Sequence, residues 1–285
     1  MSSEISAIIA FGALAALLLI IGWRRGFFTF PHKEWEVPLR FFQLIAAFAI
    51  YFLANFVITS ATIGFLRKQI IGHYLAYSSW LNFGVSFLIF ACLGIYFFLL
   101  PTEVRKGILR RPSERGKPLI DDVYFAIYAW LLSFPLVLFL SQFLELIIYR
   151  IFSVTQLPDQ IAVQFLKSTF QNPLYFGLAV ISIILLAPLI EETLFRGFLQ
   201  TYIRQHLGSK QAIIITSACF SLFHYSTGQG LGNISIIISL FVLALFLGFL
   251  YEKQGSLLAP MFLHGSFNAI SVINLYLFGG FTTGL

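Results

Sequence analysis

Charged residues are scarce in this chain, and their scarcity excludes an ordinary soluble domain. Only 11% of its 285 residues are Asp, Glu, Lys or Arg, whereas 59% are hydrophobic. Soluble globular proteins carry about 25% charged residues. The composition is therefore typical of an integral membrane protein, in which each spanning helix needs about 20 mainly apolar residues.

Cysteine is also scarce, and the basic residues do not form a patch on a soluble domain. Cys92 and Cys219 both lie in apolar runs, where cysteine behaves as a small hydrophobic residue, so we expect no disulfide framework and no metal site. Residues 1–6 contain Glu4 but no Lys or Arg, and the basic start of a cleavable signal peptide is thus missing. The net charge of +6 is spread over loops, which argues against nucleic-acid binding.

Long apolar runs predict an all-α fold, a polytopic membrane helical bundle of about eight transmembrane helices. We expect one integrated bundle, in which residues 1–120 supply N-terminal helices and a basic cytoplasmic loop. Residues 60–79 are too polar to span and are interpreted as a loop with an interfacial helix. The predicted spans lie at 5–23, 39–59, 80–100, 123–149, 174–200, 211–227, 233–251 and 256–277.

Loop charges predict the orientation of the bundle. The densest basic stretch is the 101–121 loop, with Arg105, Lys106, Arg110, Arg111, Arg115 and Lys117. Loops rich in Lys and Arg stay in the cytoplasm, and Arg24, Arg25 and Lys33 then fall on the same side. With an even number of spans, both termini lie outside. Membrane lipids are the first expected partner.

Two adjacent glutamates interrupt the apolar run from Leu174 to Leu199. An ionised side chain near the bilayer centre costs roughly 2.5–3.5 kcal/mol on insertion scales. Glu192 and Arg196 are spaced i,i+4 and share a helix face in the favourable acid-before-base order. Glu191 is rotated by about 100° from Glu192 and is free to face a cavity. The alternative is an ion-paired brace between helices, which does not need Glu191.

Two further polar motifs follow on later helices, Phe220-x-x-x-His224 and His264-x-x-x-Asn268. A single histidine in an apolar helix is more often a packed core residue than a catalyst. Together with Glu191, however, these side chains can converge on one water-filled pocket. A carboxylate in such a pocket can take a proton from water, while His and Asn donate hydrogen bonds to a developing oxyanion.

Other hydrolytic designs fit the sequence less well. No serine or cysteine is flanked by a base as a nucleophile requires, and the zinc-protease motif His-Glu-x-x-His is missing. A zinc metallopeptidase stays open as an alternative, since two His and one Glu can bind zinc. A non-catalytic immunity or scaffold protein and a proton-coupled transporter are also alternatives, although the halves show no repeat symmetry.

The late motifs resemble those of the CPBP family, which includes the type II CAAX prenyl endopeptidases and bacterial abortive-infection and bacteriocin-immunity proteins. The resemblance covers roughly residues 125–275 and rests on three motifs in order: Glu191-Glu192-x-x-x-Arg196, Phe220-x-x-x-His224 and His264-x-x-x-Asn268. It implies that residues 121–285 form a catalytic membrane domain. It also implies an intramembrane glutamic endopeptidase, without metal or other cofactor, in the inner membrane of a prokaryotic cell.

The resemblance implies a role for each motif residue, with Glu191 activating water, His224 holding and polarising that water, His264 and Asn268 stabilising the oxyanion, and Glu192 and Arg196 supporting them. The site is expected in the cytoplasmic half of the membrane. The expected substrate is a peptide bond near the C-terminus of a membrane-associated or lipidated protein. Neither prenylation of that substrate nor the oligomeric state follows from the motifs.

Overall fold

The chain folds almost entirely into helices. The structure is a computed structural model that describes residues 2–30, 36–70, 73–111, 114, 118–154 and 156–279. Over these residues, β-type pairing is limited to an isolated bridge between Arg110 and Ser256. The predicted all-α fold is thus confirmed.

The helices follow one another with short connections. The α-helices are α1 (Ser2–Arg24), α2 (Phe41–Phe52), α3 (Thr59–Ile70), α4 (Tyr74–Leu99), α5 (Thr102–Leu109), α6 (Leu119–Phe152), α7 (Ile161–Thr169), α8 (Pro173–Ile181), α9 (Ala187–Glu192), α10 (Thr201–Leu207), α11 (Ser209–Leu222), α12 (Gly232–Gln254) and α13 (Leu258–Phe278). Wider π-helical turns join α2 to α3 and α8 to α9 and α10, at Leu53–Ile58, Ser182–Leu186 and Thr193–Gln200.

Seven stretches of described helix are long and apolar enough to cross a membrane. They are Ile5–Arg24, Phe41–Phe65, Tyr74–Leu99, Leu119–Phe152, Pro173–Leu207, Gly232–Gln254 and Leu258–Phe278. The chain is therefore a multi-pass membrane protein. The interpretation of residues 60–79 as a loop with an interfacial helix was wrong in its bounds, because the second span continues to Phe65, α3 ends at Ile70 and α4 begins at Tyr74. Polar residues at the end of α3 lowered the hydropathy there without ending the helix.

The span predicted at 211–227 is present in a different form. The helix there, α11, has 14 residues, about 21 Å at 1.5 Å per residue, which is shorter than a bilayer core of about 30 Å. The segment 223–231, mostly non-helical, follows it. Our boundary was too late because apolar residues continue to Phe223.

The chain nevertheless crosses the bundle between α10 and α12. The helical stretch that ends with α10 contacts α12 at three levels. Arg196, Gln200 and Arg204 contact Ala244, Gly248 and Glu252, respectively, in the same order along both helices. The two elements therefore run in parallel, so the chain must return from the end of α10 to the start of α12. It does so through α11 and residues 223–231, which keeps the number of crossings near the expected eight.

One end of the bundle collects basic residues, and we call it the basic end. There the Arg204 guanidinium pairs with the buried Glu252 carboxylate at 3.4 Å. The Lys253 ammonium donates to the Thr29 carbonyl, just after α1, at 3.2 Å. Lys33, Arg115 and Lys117 lie outside the described residues. That this end faces the cytoplasm stays a prediction.

The centre of the bundle is α12. Of its most apolar window, 61% is buried, against 39% or less in every other candidate span. In contrast, α1 and α4 expose large apolar side chains such as Ile9, Trp23 and Phe98. Such surfaces need an apolar solvent, which the acyl chains of a bilayer provide. The polar motifs therefore lie on elements packed against a protected central helix.

Candidate active site

The two adjacent glutamates differ sharply in exposure. Both close α9, between the π-helical segments Ser182–Leu186 and Thr193–Gln200. The Glu192 side chain is fully buried, whereas the Glu191 side chain retains 16% exposure. This difference follows from the rotation of about 100° between neighbours on a helix. π-helical turns are rare and frequently occur at functional sites.

Glu192 and Arg196 form the predicted ion pair. The Arg196 guanidinium donates to Glu192 Oε1 at 3.0 Å, and both side chains have no exposed surface. The same guanidinium donates to the Ala244 carbonyl at 3.1 Å and lies 4.6 Å from the centre of the Phe220 ring. A buried charge of this kind persists only when it is paired and hydrogen-bonded, and Arg196 meets both conditions.

Glu192 makes a second contact that the sequence did not indicate. Its Oε1 lies 2.8 Å from Nδ1 of His264, across 72 residues of chain. An ionised carboxylate only accepts hydrogen bonds, so Nδ1 of His264 must carry the proton. Glu192 therefore fixes the tautomer of His264 and turns its other ring nitrogen, Nε2, away from the ion pair.

Both histidines direct Nε2 toward Glu191. His224 Nε2 and His264 Nε2 each lie 3.9 Å from Glu191 Oε2. The Nδ1 of His224 lies 2.8 Å from the Phe220 carbonyl and must donate to it, so the i,i+4 spacing of Phe220-x-x-x-His224 orients the ring. In the neutral histidines, both Nε2 atoms are therefore acceptors. No described residue donates to Glu191 Oε2.

Asn268 lies one helical turn after His264 on α13. Its Nδ2 donates to the Ile183 carbonyl at 2.8 Å, and Ile183 lies in the π-helical segment Ser182–Leu186. This bond fixes the amide and uses one of its two N–H groups, because Asn carries two donors on Nδ2. Its second N–H remains for a ligand.

These side chains line one cavity of about 240 Å³. Glu191, His224, His264 and Asn268 all contribute to its wall. The remaining wall is mainly aliphatic, from Val137, Val163, Leu166, Ile183, Ile236, Leu240, Leu243, Val272 and Leu275. A cavity of this size with several polar atoms has room for water, which needs at least about 10–15 Å³ and two or more polar partners.

Sequence reasoning missed Gln160 at this cavity. It precedes α7, in the connection between α6 and α8, and its side chain lines the same space. No motif or periodicity marks it, since that connection has neither an apolar period nor a polar cluster. Among the described residues, no group of three or more His, Cys, Asp or Glu side chains has the geometry to hold a metal ion.

The arrangement is suited to moving protons at one point. Glu191 Oε2, His224 Nε2 and His264 Nε2 are three acceptors facing a shared space, and they need a donor between them. A water molecule supplies two O–H donors and could satisfy two of the three. A carboxylate held within reach of such a water can act as a general base.

The comparisons with known proteins agree with this geometry. Residues 172–270 match the family model described as type II CAAX prenyl endopeptidase Rce1-like. That segment contains all three motifs and ends just after Asn268. The search of curated proteins and the search of solved structures returned no match. Residues 172–270, about a third of the chain, are therefore similar to the Rce1-like type II CAAX prenyl endopeptidases, in agreement with the resemblance that the three motifs indicate.

Proposed function

We propose that the protein is an intramembrane endopeptidase in which Glu191 activates the attacking water. The match of residues 172–270 to a family model of endopeptidases supports the reaction class. The observation that carries the assignment of the base is the position of Glu191 Oε2, 3.9 Å from both His224 Nε2 and His264 Nε2 in a shared cavity. Glu192 is a poor candidate, because its carboxylate is fully buried and already pairs with Arg196 and His264.

The proposed first step adds water to the peptide carbonyl. A water hydrogen-bonded to Glu191 Oε2 and to Nε2 of His224 gives its proton to the carboxylate as its oxygen attacks the carbonyl carbon. The C–O bond forms while the carbonyl π electrons move to oxygen and create an oxyanion. Protonated Glu191 then passes the proton to the leaving amine as the C–N bond breaks.

Asn268 and His264 would stabilise the oxyanion. The second N–H of Asn268 Nδ2 is available, because the first binds the Ile183 carbonyl. His264 can donate through Nε2 only when it carries a second proton, because the first is on Nδ1 and points to the Glu192 carboxylate. Removing one donor to an oxyanion typically costs about 10²–10³ in kcat.

The proposed substrate is a membrane-associated peptide or protein cut near its C-terminus. The family name points to prenylated C-terminal sequences, and the aliphatic cavity wall suits apolar side chains near the cut. The test below therefore uses peptides with and without a lipid. The proposed mechanism uses no metal, since the groups that line the cavity can activate water and stabilise an oxyanion by themselves.

The test compares wild type with Glu191→Gln in detergent. Both would be incubated with a panel of C-terminal peptides, with and without a lipid on cysteine, and the products identified by mass spectrometry. We expect wild type to cleave at least one peptide and Glu191→Gln to cleave none, with equal melting temperatures. Glu103→Gln, on the exposed face of α5, is the matched control and should retain full activity.

Three outcomes would overturn this proposal in part or in whole. Equal cleavage by wild type and Glu191→Gln would remove Glu191 as the base. Stoichiometric zinc in the active protein, with activity lost on chelation and regained on re-addition, would replace the metal-free mechanism by a metallopeptidase. A wild-type protein that cleaves no peptide of the panel would favour a non-catalytic membrane role.

A further inference from the structure

The connection between α6 and α8 forms one wall of the catalytic cavity. Gln160 and three residues of α7, Ala162, Val163 and Leu166, line the same space as Glu191 and the two histidines. This connection precedes the segment 172–270 that matches the family model. The wall therefore lies outside both the matched segment and the three motifs.

The wall is held in place on both sides. Asp159 pairs with Lys167 at 2.6 Å across the start of α7, and Gln164 Nε2 donates to the Asp159 carbonyl at 2.6 Å. On the other side, the Pro158 carbonyl oxygen would lie 2.9 Å from a Cβ placed on Gly232, the first residue of α12. Only glycine permits this close approach. Gln160 therefore projects from a fixed backbone.

The Gln160 side chain has unused hydrogen-bonding capacity. It is half-buried, and no described residue donates to or accepts from its amide. The other uncharged polar side chains of the cavity are engaged, since Ser271 donates to the Phe267 carbonyl and Asn268 to the Ile183 carbonyl. A primary amide offers both donors and an acceptor, so Gln160 can satisfy a ligand group that needs both.

We propose that Gln160 is a substrate-binding residue whose side-chain amide binds a backbone peptide group of the substrate beside the scissile bond. A peptide group carries one N–H donor and one C=O acceptor, and the Gln160 amide complements both. In a mainly aliphatic cavity, a substrate peptide group would otherwise lose its hydrogen bonds to water without replacement. The proposal rests on the proposed endopeptidase function and assigns it a substrate-binding contact.

The first experiment measures the steady-state kinetics of Gln160→Leu with the peptide that wild type cleaves fastest. A contact made equally in the ground state and the transition state raises KM and leaves kcat unchanged. We expect KM to rise about tenfold, as the loss of one or two neutral hydrogen bonds implies. Gln171→Leu, in the turn just after α7, is the matched control, because Gln171 is exposed and does not line the cavity, and its KM should equal that of wild type.

The second experiment identifies the substrate group. Each peptide bond flanking the cut would be replaced in turn by an ester, which removes one N–H. At one position, the ester should raise KM for wild type. The same ester should not raise KM further for Gln160→Leu, because that variant has already lost the hydrogen bond that the ester removes. Gln160→Glu keeps the size and the acceptor but removes the donors, and it should retain an intermediate KM.

The outcomes separate this inference from the function on which it rests. If wild type cleaves the peptide and Gln160→Leu has the same KM, or if no ester position shows the non-additive effect, the Gln160 contact is wrong and the hydrolytic site stands. A change in kcat alone would also contradict it. If wild type cleaves no peptide, both the function and the contact fall. Equal melting temperatures for all variants exclude misfolding as the cause.

Discussion

At the scale of single residues, the site depends on one oxygen atom. Glu192 Oε1 accepts from the Arg196 guanidinium at 3.0 Å and from His264 Nδ1 at 2.8 Å. The arginine offsets the cost of a fully buried carboxylate, while the carboxylate orients the histidine, as in the Asp–His part of a catalytic triad. We therefore propose Glu192 as a positioning residue, which leaves its neighbour Glu191 available for chemistry.

Arg196→Ala should destabilise the fold. Removing one partner of a buried ion pair leaves an uncompensated charge, which typically costs about 3–5 kcal/mol. We expect a clearly lower melting temperature in detergent and a reduced folded yield. Arg24→Ala is the control, because Arg24 is the last residue of α1 and is exposed, and substitutions at exposed positions usually change stability by about 0.5 kcal/mol or less. An unchanged melting temperature for Arg196→Ala would show that the pair does not brace the fold.

The two contacts of Glu192 differ in how well the sequence predicts them. The Glu192–Arg196 pair follows from i,i+4 spacing on a helix, which any helical segment imposes. The contact with His264 depends on how α13 packs against α9, and 72 residues separate the partners. Sequence spacing carries no information on such packing. The roles assigned to the motif residues stay predictions until they are tested.

At the scale of elements, the end of α11 decides where His224 lies. The helix ends at Leu222, and His224 lies in the turn that follows, with its Nε2 3.9 Å from Glu191 Oε2. The breaker residues of Ser226-Thr227-Gly228-Gln229-Gly230 indicate that the helix stops early.

Gly232→Ala should loosen the wall that carries Gln160. The added Cβ would lie 2.9 Å from the Pro158 carbonyl oxygen, and overpacking of this kind typically costs about 1–3 kcal/mol. We expect a lower melting temperature and faster proteolysis between α6 and α7. Gly177→Ala in α8 is the control, because no atom lies within 4 Å of its Cβ position. Identical proteolysis of the Gly232→Ala variant and wild type would contradict the close packing of this wall.

At the scale of the whole molecule, the N-terminal helices pack directly against the helices that carry the three motifs. The Phe48 ring lies 5.7 Å from that of Phe195, and the Tyr51 ring lies 5.2 Å from that of Phe223. The Tyr251 hydroxyl also donates to the Ile108 carbonyl. Hydropathy identified these helices but not their neighbours, because a helix that is apolar on all sides does not indicate which side meets protein and which meets lipid.

We propose that residues 1–120 and 121–285 form one integrated bundle. Residues 121–285 alone should then yield no folded, active protein, because the apolar faces that α2 and α4 cover would be exposed. Co-expression of residues 1–120 as a separate chain should restore activity and co-purify with the larger fragment. Full activity of residues 121–285 alone would show that the N-terminal helices are dispensable.

The short length of α11 affects the surrounding membrane. Ile214 and Leu222 are exposed on its surface, so lipid meets an apolar helix of about 21 Å where a hydrocarbon core measures about 30 Å. The backbone that completes the crossing is mostly non-helical and must be shielded from acyl chains. Lipids beside α11 therefore shorten or tilt to match it. Because of this hydrophobic mismatch, the free energy of the segment that carries His224 includes the cost of deforming the bilayer around it.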